Sequence, residues 1–539
     1  MVDRRWFPKP YQEMVAEFRW DVPERYNLAA DCVDKHPDDR LAMVWEDWRG
    51  NRRDVTFGEV KDTANRVANM LASLGVEPGD RVACLLPSLP ETAAAFMGVY
   101  KLGGILLSLS MLYGDESIEH RLRDSGAKVL IAHVDALQRV SDMRGRVESL
   151  ERVVVLGGEG GDLSFTDAVA RASSDFQTLD TAADDPAQLY YSSGTTGLAK
   201  GILHAHRYLL AHNEYEYAHD VREDEFFHST GEWAWIAGIV PGILGPWRFG
   251  TPTVVFQRKG GFTPEETLAL LERHEVGNVF TTPTALRAMM GVPDPKRFHL
   301  RLRHACSAGE PLNPEAIRWF AEEYGTTIFD YYGLTESYPL CSNFPTMEVR
   351  FGSMGRPAPG WHVAILDERE EPVETGEMGE ICLRARSNPH YPLGYWQRPE
   401  DTEEVFGGEW FHTRDVARAD KDGYVWYEGR NDDVIISAGY RIGPFEVESS
   451  LIEHSAVIEA AAVAAPDPQR GNVVKAFVCL ADGYEPSDAM IEELQEHVRS
   501  RLSAYAYPRS IEFVDDLPKT LTGKIRRIDL RERARPPTS

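Results

Sequence analysis

The sequence lacks several features that would define its function at once. Its six cysteines are far apart and form no CxxC pair, which favours reduced thiols over a disulfide framework or a structural zinc site. Residues 1–26 carry charge throughout and contain no apolar leader core. No window approaches the roughly 18 uninterrupted apolar residues that a membrane span needs. We therefore expect a soluble, cytoplasmic protein without stable membrane insertion.

Basic residues are too few for a nucleic-acid binder. The chain has 58 Lys and Arg against 85 Asp and Glu, a formal net charge of −27, whereas nucleic-acid binding needs a basic surface. A small anionic substrate is still compatible, because one pocket can be locally positive. The length of 539 residues exceeds one hydrophobic core and predicts two or more domains. A homo-oligomer is left open.

Strands and helices alternate along the first 290 or so residues. Thr56 and Glu59 fit a capping box, an amphipathic helix follows them, and Gly75 stands where a left-handed C-cap is expected. Short apolar runs read as buried strands: "RVACLL", "ILLSL", "KVLIAHV", "VVVLGG", "TPTVVF" and "NVFTTP". Strands that alternate with helices pair in parallel, so the pattern predicts an α/β fold.

The pattern of apolar and turn-forming residues changes in the last third of the chain. Residues 353–429 contain short β-like runs and turns and predict a β-rich subdomain of a large N-terminal domain, residues 1–429. The stretch 430–433 ("RNDD") is predicted as a hinge. The sequence of residues 434–539 has both helical and strand patterns, which predicts a small, mobile α+β domain.

The segment "YYSSGTTGLAKG" (Tyr190–Gly201) is rich in glycine and in hydroxyl side chains, and it has a lysine near its end. Glycines let backbone amides approach an anion, while hydroxyls and a lysine add donors and positive charge. The spacing is not that of a Walker P-loop, because GxxxxGK[ST] is absent. The segment therefore predicts a phosphate-binding loop, with a plain surface hairpin as the alternative.

Three further segments carry chemistry, and each is weak alone. "FDYYGLTES" offers a ring for stacking, a hydroxyl for phosphate and a carboxylate for Mg²⁺, or else only a strand end and turn. Asp415 and Arg430, fifteen residues apart at predicted strand ends, suit ribose hydroxyls or form a surface ion pair. Lys524 follows "TG" on a predicted loop, which otherwise reads as a solvated basic tail.

Taken in order, these segments resemble the adenylate-forming superfamily of acyl-CoA synthetases, luciferases and adenylation domains over essentially the whole chain. "YYSSGTTGLAKG" resembles its phosphate loop, "YYGLTE" its adenine and magnesium motif, and "HTRDVA" its ribose motif. "GRNDDVIISAGYRIGPFEVES" resembles the hinge and thiol tunnel, and "LPKTLTGK" the catalytic-lysine loop. The medium-chain acyl-CoA synthetases are the most similar group, although Leu334 stands where close relatives often have Gln.

The resemblance implies that ATP and coenzyme A are cosubstrates and that Mg²⁺ is a cofactor. It implies that Lys524 bridges the carboxylate and the α-phosphate, that Thr335 and Arg441 contact phosphate, and that Glu336 holds Mg²⁺. Asp432 matches the hinge position, and the CoA thiol would pass Ser437, Gly439 and Tyr440. The residues implied to bind ATP or AMP are Ser192, Ser193, Gly194, Thr195, Thr196, Lys200, Gly309, Glu310, Pro311, Asp330, Tyr331, Tyr332, Gly333, Asp415 and Arg430.

The acid is predicted to be larger than acetate. The implied acyl pocket is lined by Trp235, Ile236, Ala237, Gly238, Ala308 and Gly333. Acetate-specific relatives block this pocket with Trp where Gly333 stands here. Small residues at 237, 308 and 333 therefore favour a medium-chain, branched or aromatic acid, unless Trp233 and Trp235 close the pocket.

The predicted reaction is AMP-forming acyl-CoA ligation, in which acyl-AMP forms first and CoA then takes the acyl group after the small domain rotates. One alternative within the family is transfer of the acyl group to a carrier-protein thiol in trans. An ADP-forming acyl phosphotransferase is an alternative from another class, and it requires neither the hinge nor Lys524.

Overall fold

A computed structural model of the chain describes residues 8–192, 199–384, 386, 388–437, 440–467, 470–502, 506–520 and 524–535. Two large sheets flanked by helices come first, a smaller antiparallel sheet follows, and a unit of strands and helices ends the chain. The predicted class, α/β layers with a β-rich part and a small α+β part, is confirmed. Among the described residues, no helix is both long and apolar enough to span a bilayer.

The larger of the two main sheets contains nine of the described strands. Its central pairs are parallel, and antiparallel pairs stand at both edges. In spatial order the strands are β16 (Arg356–Pro357), β15 (Cys341–Ser342), β14 (Ile328–Tyr332), β13 (His304–Ser307), β12 (Asn278–Thr281), β10 (Phe227–Ser229), β11 (Thr253–Gln257), β1 (Leu41–Asp47) and β2 (Arg52–Thr56).

The second main sheet contains eight described strands and is also mostly parallel. Strands β8 (Pro186–Ser192) and β9 (Lys200–Ala205) form an antiparallel hairpin, and Ser192 pairs with Lys200 at the end where the two strands are connected. In spatial order the strands are β19 (Gly394–Tyr395), β9 (Lys200–Ala205), β8 (Pro186–Ser192), β4 (Ile105–Leu109), β3 (Arg81–Leu85), β5 (Val129–His133), β6 (Arg152–Leu156) and β7 (Leu163–Ser164).

The remaining described strands form three smaller sheets. An antiparallel sheet contains β17 (Val363–Leu366), β18 (Gly379–Arg384), β20 (Trp410–Ala419) and β21 (Val425–Arg430). A hairpin contains β22 (Ile435–Ser437) and β23 (Tyr440–Ile442). The last sheet contains β24 (Val457–Asp467), β25 (Gly471–Leu480) and β26 (Ser510–Phe513).

Helices cover the sheets. They are α1 (Tyr11–Glu17), α2 (Phe57–Ser73), α3 (Pro90–Lys101), α4 (Asp115–Ser125), α5 (Leu137–Arg144), α6 (Phe165–Arg171), α7 (Glu214–Tyr217), α8 (Ile236–Ile239), α9 (Gly245–Arg248), α10 (Pro264–Arg273), α11 (Pro283–Met290), α12 (Pro314–Tyr324), α13 (Pro399–Phe406), α14 (Pro444–Ile452), α15 (Asp488–Arg501) and α16 (Arg527–Ala534). Side chains of α2, α3, β1 and β3 share one apolar core, which joins the two main sheets.

Local signals explain where these elements begin and end. The capping box at α2 is present, since Glu59 N donates to Thr56 Oγ1 at 3.2 Å and Thr56 N donates to the Glu59 carboxylate at 2.8 Å. Gly75 has a φ of +82°, as its predicted C-cap role requires. The six apolar runs predicted as strands are all strands.

The sequence pattern of "HRYLLAHNEYEY" (residues 206–217) predicts a helix after the glycine-rich segment, but the structure does not contain one continuous helix there. The structure has strand β9, then a 3₁₀ segment at His206–Ala211, and then the single turn of α7. Nearly every side chain here is buried, including His206, Tyr208 and Tyr215. Because this segment is packed on nearly all sides, its tertiary contacts override the helical periodicity of its sequence.

Candidate active site

A cavity of about 2030 Å³ lies between the main sheets and the last part of the chain. Residues far apart in sequence meet in its wall. The predicted site residues that line it are Ser192, Lys200, Trp235, Ile236, Ala237, Gly309, Glu310, Pro311, Asp330, Tyr331, Tyr332, Gly333, Thr335, Glu336, Asp415, Arg430, Asp432 and Lys524. Described residues of the predicted ATP, acyl and lysine motifs therefore converge on one cavity.

The other predicted residues stand elsewhere. Ser193, Gly194, Thr195, Thr196 and Gly439 lie outside the described residues. Ala308 is fully buried behind the wall. Gly238 packs on backbone, because a Cβ there would lie 1.7 Å from the Glu232 carbonyl oxygen. The prediction that Ala308 and Gly238 line the acyl pocket is therefore corrected. Both residues support the pocket wall from behind.

Arg441, Ser437 and Tyr440 are also not brought to this cavity. They belong to the β22–β23 hairpin, and the guanidinium of Arg441 lies 4.0 Å from the Glu368 carboxylate at the surface. The predicted contact of Arg441 with phosphate is absent in this domain arrangement, because the hairpin does not form part of the cavity wall.

Asp415 and Arg430 are paired across neighbouring strands. They are register partners on β20 and β21, and Arg430 Nε lies 3.6 Å from Asp415 Oδ1. Tyr332 OH donates to Asp415 Oδ2 at 2.6 Å. Burial raises the pKa of Asp415, while Arg430, Tyr332 and Lys524 act against that rise. A buried carboxylate held in this way can accept two hydroxyl hydrogen bonds from a ribose.

A β-bulge turns Asp415 toward the cavity. The pairing of β18 with β20 passes from Cys382–His412 to Glu380–Val416, so β20 has extra residues at this point. Arg414 has a φ of +62° there, and its N–H donates to Glu380 Oε1 at 2.7 Å. Bulges change the direction of a side chain beside a functional site.

Glu336 provides a carboxylate for a cation. It follows Thr335 in a tight loop closed by reciprocal bonds between Leu334 and Ser337 of 2.7 and 3.0 Å. Tyr395 OH donates to Glu336 Oε1 at 3.3 Å, and burial raises the pKa of this carboxyl group. Mg²⁺ usually binds one or two protein carboxylates together with substrate phosphates. A half-buried carboxylate in the cavity wall fits that role.

Two buried histidines support this loop from behind, and the sequence predictions missed them. His204 Nε2 lies 2.9 Å from the Thr335 carbonyl oxygen, and His390 Nδ1 lies 3.4 Å from that of Glu336. Their rings are 4.9 Å apart. Burial lowers the pKa of His204 to about 3, so the ring is neutral and donates through Nε2. For His204, the repeated histidines in "HAHRYLLAH" were the signal in the sequence that could have indicated this role.

The opposite wall carries the predicted adenine contacts. Asp330 is only 5% exposed, and burial raises its pKa well above the usual value. Gly309 has a φ of +93°, a conformation that favours glycine. Glu310 accepts from Thr284 Oγ1 at 2.7 Å and pairs with Arg287 at 3.0 Å, which holds the strip in place.

Aromatic and small residues line the predicted acyl region. Trp235 packs edge-on against Tyr113 with ring centroids 5.1 Å apart, and Trp233 is 5% exposed. Ala237 leaves room beside them. The space at Gly333 is smaller than predicted, because a Cβ there would lie 2.4 Å from the Tyr338 ring. Gly333 is therefore needed for packing as well as for pocket size.

Lys524 reaches the cavity from the last part of the chain. Its backbone is held by Thr520, whose Oγ1 accepts from Lys524 N at 3.1 Å and whose N–H donates to Lys524 O at 2.7 Å. Lys519 and Ile525 form a bridge that closes this loop. The positive charge of Lys524 acts against the rise that burial causes in the pKa of Asp415. Lys524 and Asp415 both line the same cavity.

Polar contacts hold the two parts together in this arrangement. Asn313 Nδ2 donates to Ser449 Oγ at 3.0 Å, and Arg318 pairs with Glu453 at 3.1 Å. Near the predicted hinge, Arg531 donates to the carbonyl oxygen of Asp432 at 2.7 Å. These contacts fix the pose in which Lys524 faces the cavity.

Comparison with known proteins identifies the family. Residues 29–396 match the family described as AMP-binding enzyme, and residues 446–524 match the AMP-binding enzyme C-terminal domain. Acetyl-coenzyme A synthetase of Bacillus subtilis (strain 168) is 36% identical over 545 residues, 96% of this chain and 94% of its own. Benzoate–CoA ligase of Thauera aromatica is 35% identical over 522 residues, 95% of this chain and 96% of its own.

A solved structure agrees with these sequence matches. The anthranilate CoA ligase AuaEII in complex with anthranoyl-AMP has a TM-score of 0.88 and 33% identity, covering 95% of this chain and 98% of that one. The chain belongs to the AMP-binding enzyme family. The predicted adenylate-forming superfamily and the predicted class of AMP-forming acyl-CoA synthetase, an acid–thiol ligase that uses ATP and CoA, are confirmed.

Proposed function

We propose that the protein joins CoA to a carboxylic acid larger than acetate, of the medium-chain, branched or aromatic kind. The observation that carries this proposal is the acyl end of the cavity, where Ala237 stands beside the Trp235–Tyr113 pair. Aromatic rings stack edge to face at such a wall, and each buried methylene contributes about 0.8 kcal/mol. The structural likeness to an anthranilate CoA ligase supports an aromatic acid, whereas the likeness to acetyl-coenzyme A synthetase gives the competing expectation.

In the first step a carboxylate oxygen of the acid attacks the α-phosphorus of ATP, and the bond to pyrophosphate breaks. Lys524 stabilises the negative charge that grows between the two reactants, as a positioned cation does in a transition state. Asp415 and Arg430 hold the ribose, and Asp330 with the Gly309–Pro311 strip holds the adenine. Glu336 would hold Mg²⁺, which supplies charge neutralisation on the phosphates.

In the second step the CoA thiol attacks the acyl carbonyl, and AMP leaves. We propose that residues 430–433 are the hinge between domains 1–429 and 434–539, so that Lys524 withdraws and the β22–β23 hairpin takes its place. Hinges need only a few residues that absorb backbone change. The exposed position of Tyr440 and Arg441 is consistent with this second pose. Cytoplasmic location and a homo-oligomer stay predictions.

The experiment incubates the enzyme with ATP, Mg²⁺ and CoA against a panel of C2 to C12, branched and aromatic acids. Mass spectrometry then measures the nucleotide and the thioester. We expect AMP, pyrophosphate and one dominant acyl-CoA longer or bulkier than acetyl-CoA. The variant Ala237→Leu should shift preference toward shorter acids, while Ala168→Leu, at another half-buried alanine that does not line the cavity, provides the control.

Three outcomes contradict parts of this proposal. If acetate exceeds every longer or aromatic acid in kcat/KM, the assigned substrate class is wrong. If AMP forms without thioester, the acyl acceptor is a different thiol, such as that of a carrier protein. If ADP forms, the adenylation step itself is wrong.

A further inference from the structure

Cys382 and His412 face each other on neighbouring strands beside the bulge. They are register partners on β18 and β20, and Cys382 Sγ lies 3.4 Å from His412 Nδ1. The same Nδ1 lies 3.2 Å from Glu380 Oε2. Over the described ranges, these three side chains form a group whose potential ligand atoms all lie within 4.8 Å of one another. The cluster contains a sulfur, a nitrogen and an oxygen ligand.

The spacing matches that of ligands around one tetrahedral metal ion. With metal–sulfur bonds of about 2.3 Å and metal–nitrogen or metal–oxygen bonds of about 2.0 Å, a tetrahedron separates N from S by about 3.5 Å and N from O by about 3.3 Å. The observed separations are 3.4 and 3.2 Å. Hydrogen bonding explains the arrangement less well, because a single Nδ1 faces both neighbours and the contact with the carboxylate is at the long limit for N–H···O.

Two outer contacts orient the ligands. His412 Nε2 lies 3.4 Å from Glu370 Oε1, so this ring nitrogen faces an outer carboxylate while Nδ1 faces the cluster. Glu380 accepts from Arg414 N through Oε1 at 2.7 Å, which leaves Oε2 directed at His412. Metal-binding histidines commonly donate their second N–H to a carboxylate in this manner.

We propose that Glu380, Cys382 and His412 bind Zn²⁺, with a water as fourth ligand. The thiol must lose its proton to solvent when the metal–sulfur bond forms. Cys382 is buried, but His412 is 40% exposed at the edge of the cavity, so a metal ion and its water can enter. The bound ion would link β18 to β20 three residues before Asp415. This is separate from the Mg²⁺ that Glu336 would hold.

The test uses the full-length enzyme, stripped with a chelator and titrated with Co²⁺ alone as a spectroscopic probe. We expect one equivalent to bind with the thiolate-to-cobalt charge-transfer band, and Zn²⁺ to displace it. Cys382→Ser should abolish the band, and His412→Asn should abolish tight binding. Glu370→Gln should weaken binding about 10- to 100-fold, as expected for an outer carboxylate.

Matched controls come from the same chain. Cys479→Ser removes another buried thiol, and His362→Asn removes an exposed histidine, so both should bind Co²⁺ like the parent protein. Absence of the thiolate band in the parent protein overturns the proposal. Unchanged binding in both Cys382→Ser and His412→Asn also overturns it. Because His412 is partly exposed, its variant tests the site even if Cys382→Ser fails to fold.

Discussion

His204 Nε2 lies 2.9 Å from the carbonyl oxygen of Thr335, although the two residues are 131 positions apart. This bond fixes the loop that presents the Thr335 hydroxyl and the Glu336 carboxylate. Leaving a buried acceptor without its donor costs about 1–3 kcal/mol. We therefore expect His204→Phe to slow acyl-AMP formation about 5- to 150-fold, measured as pyrophosphate release.

The conservative variant distinguishes positioning from packing. His204→Gln keeps an N–H donor near the position of Nε2, so it should retain most of the activity that His204→Phe loses. Melting temperatures of both variants report any general loss of stability. Equal activity of His204→Phe and the parent enzyme would show that the bond does not position the loop.

Lys524 should serve only the first half-reaction. Lys524→Ala removes the cation from the growing charge, and we expect a loss of about 10²- to 10³-fold in acyl-AMP formation. Thioester formation from supplied acyl-AMP and CoA should stay within about threefold of the parent rate. Lys519→Ala is the matched control, because Lys519 is tied to Glu459 at 2.7 Å and Asp516 at 2.9 Å in the same loop. A parallel loss in both half-reactions would contradict this division of roles.

Asp432 tests the proposed hinge. Proline locks φ near −65° and so restricts backbone rotation at the position where the domains are expected to turn. We expect Asp432→Pro to retain acyl-AMP formation and to lose at least about 100-fold in thioester formation, measured by quenched-flow. Asp432→Ala leaves the backbone free and should be near the parent in both steps. Full thioester activity in the proline variant would place the hinge elsewhere.

Stability should fall steeply on mild acidification. Burial lowers the pKa of His204, His206 and His219 to about 3, and that of His36 and His228 to about 4. In the unfolded chain these groups titrate near 6.5. Between those values the unfolded state binds more protons, so the free energy of unfolding decreases as the pH falls, by up to about 1.4 kcal/mol per pH unit for each histidine.

His206→Asn isolates one of these groups. Its side-chain oxygen can still accept from Leu28 N, which now donates to His206 Nδ1 at 3.2 Å, but it does not titrate. Denaturant unfolding at several pH values between 7 and 4.5 should show a shallower decline for the variant. The buried carboxyl groups with raised pKa act in the opposite direction, but they are common to both proteins. Identical slopes would show that His206 titrates with the same pKa in the folded and unfolded states.

The sequence alone predicts the parts of this molecule that depend on local pattern. The capping box at Thr56 and the apolar strands follow from neighbouring residues, and the motifs indicated that Asp415 and Arg430 belong together. The contact between His204 and Thr335 depends on packing across distant segments, so no spacing rule reveals it. The bulge at Arg414 likewise arises from a register shift between strands, and a single sequence carries no direct signal for pairing register.

The last helix has a consequence for any shortened form of the enzyme. Nη2 of Arg527 in α16 donates to both carboxylate oxygens of buried Glu448, at 2.6 and 2.7 Å, and Arg531 donates to the Asp432 carbonyl oxygen. A chain that stopped just after Lys524 would keep every predicted catalytic group. It would nevertheless leave Glu448 as an isolated charge in the interior, a loss that typically costs about 3–5 kcal/mol. The residues that follow Lys524 therefore act as a structural anchor for the smaller domain.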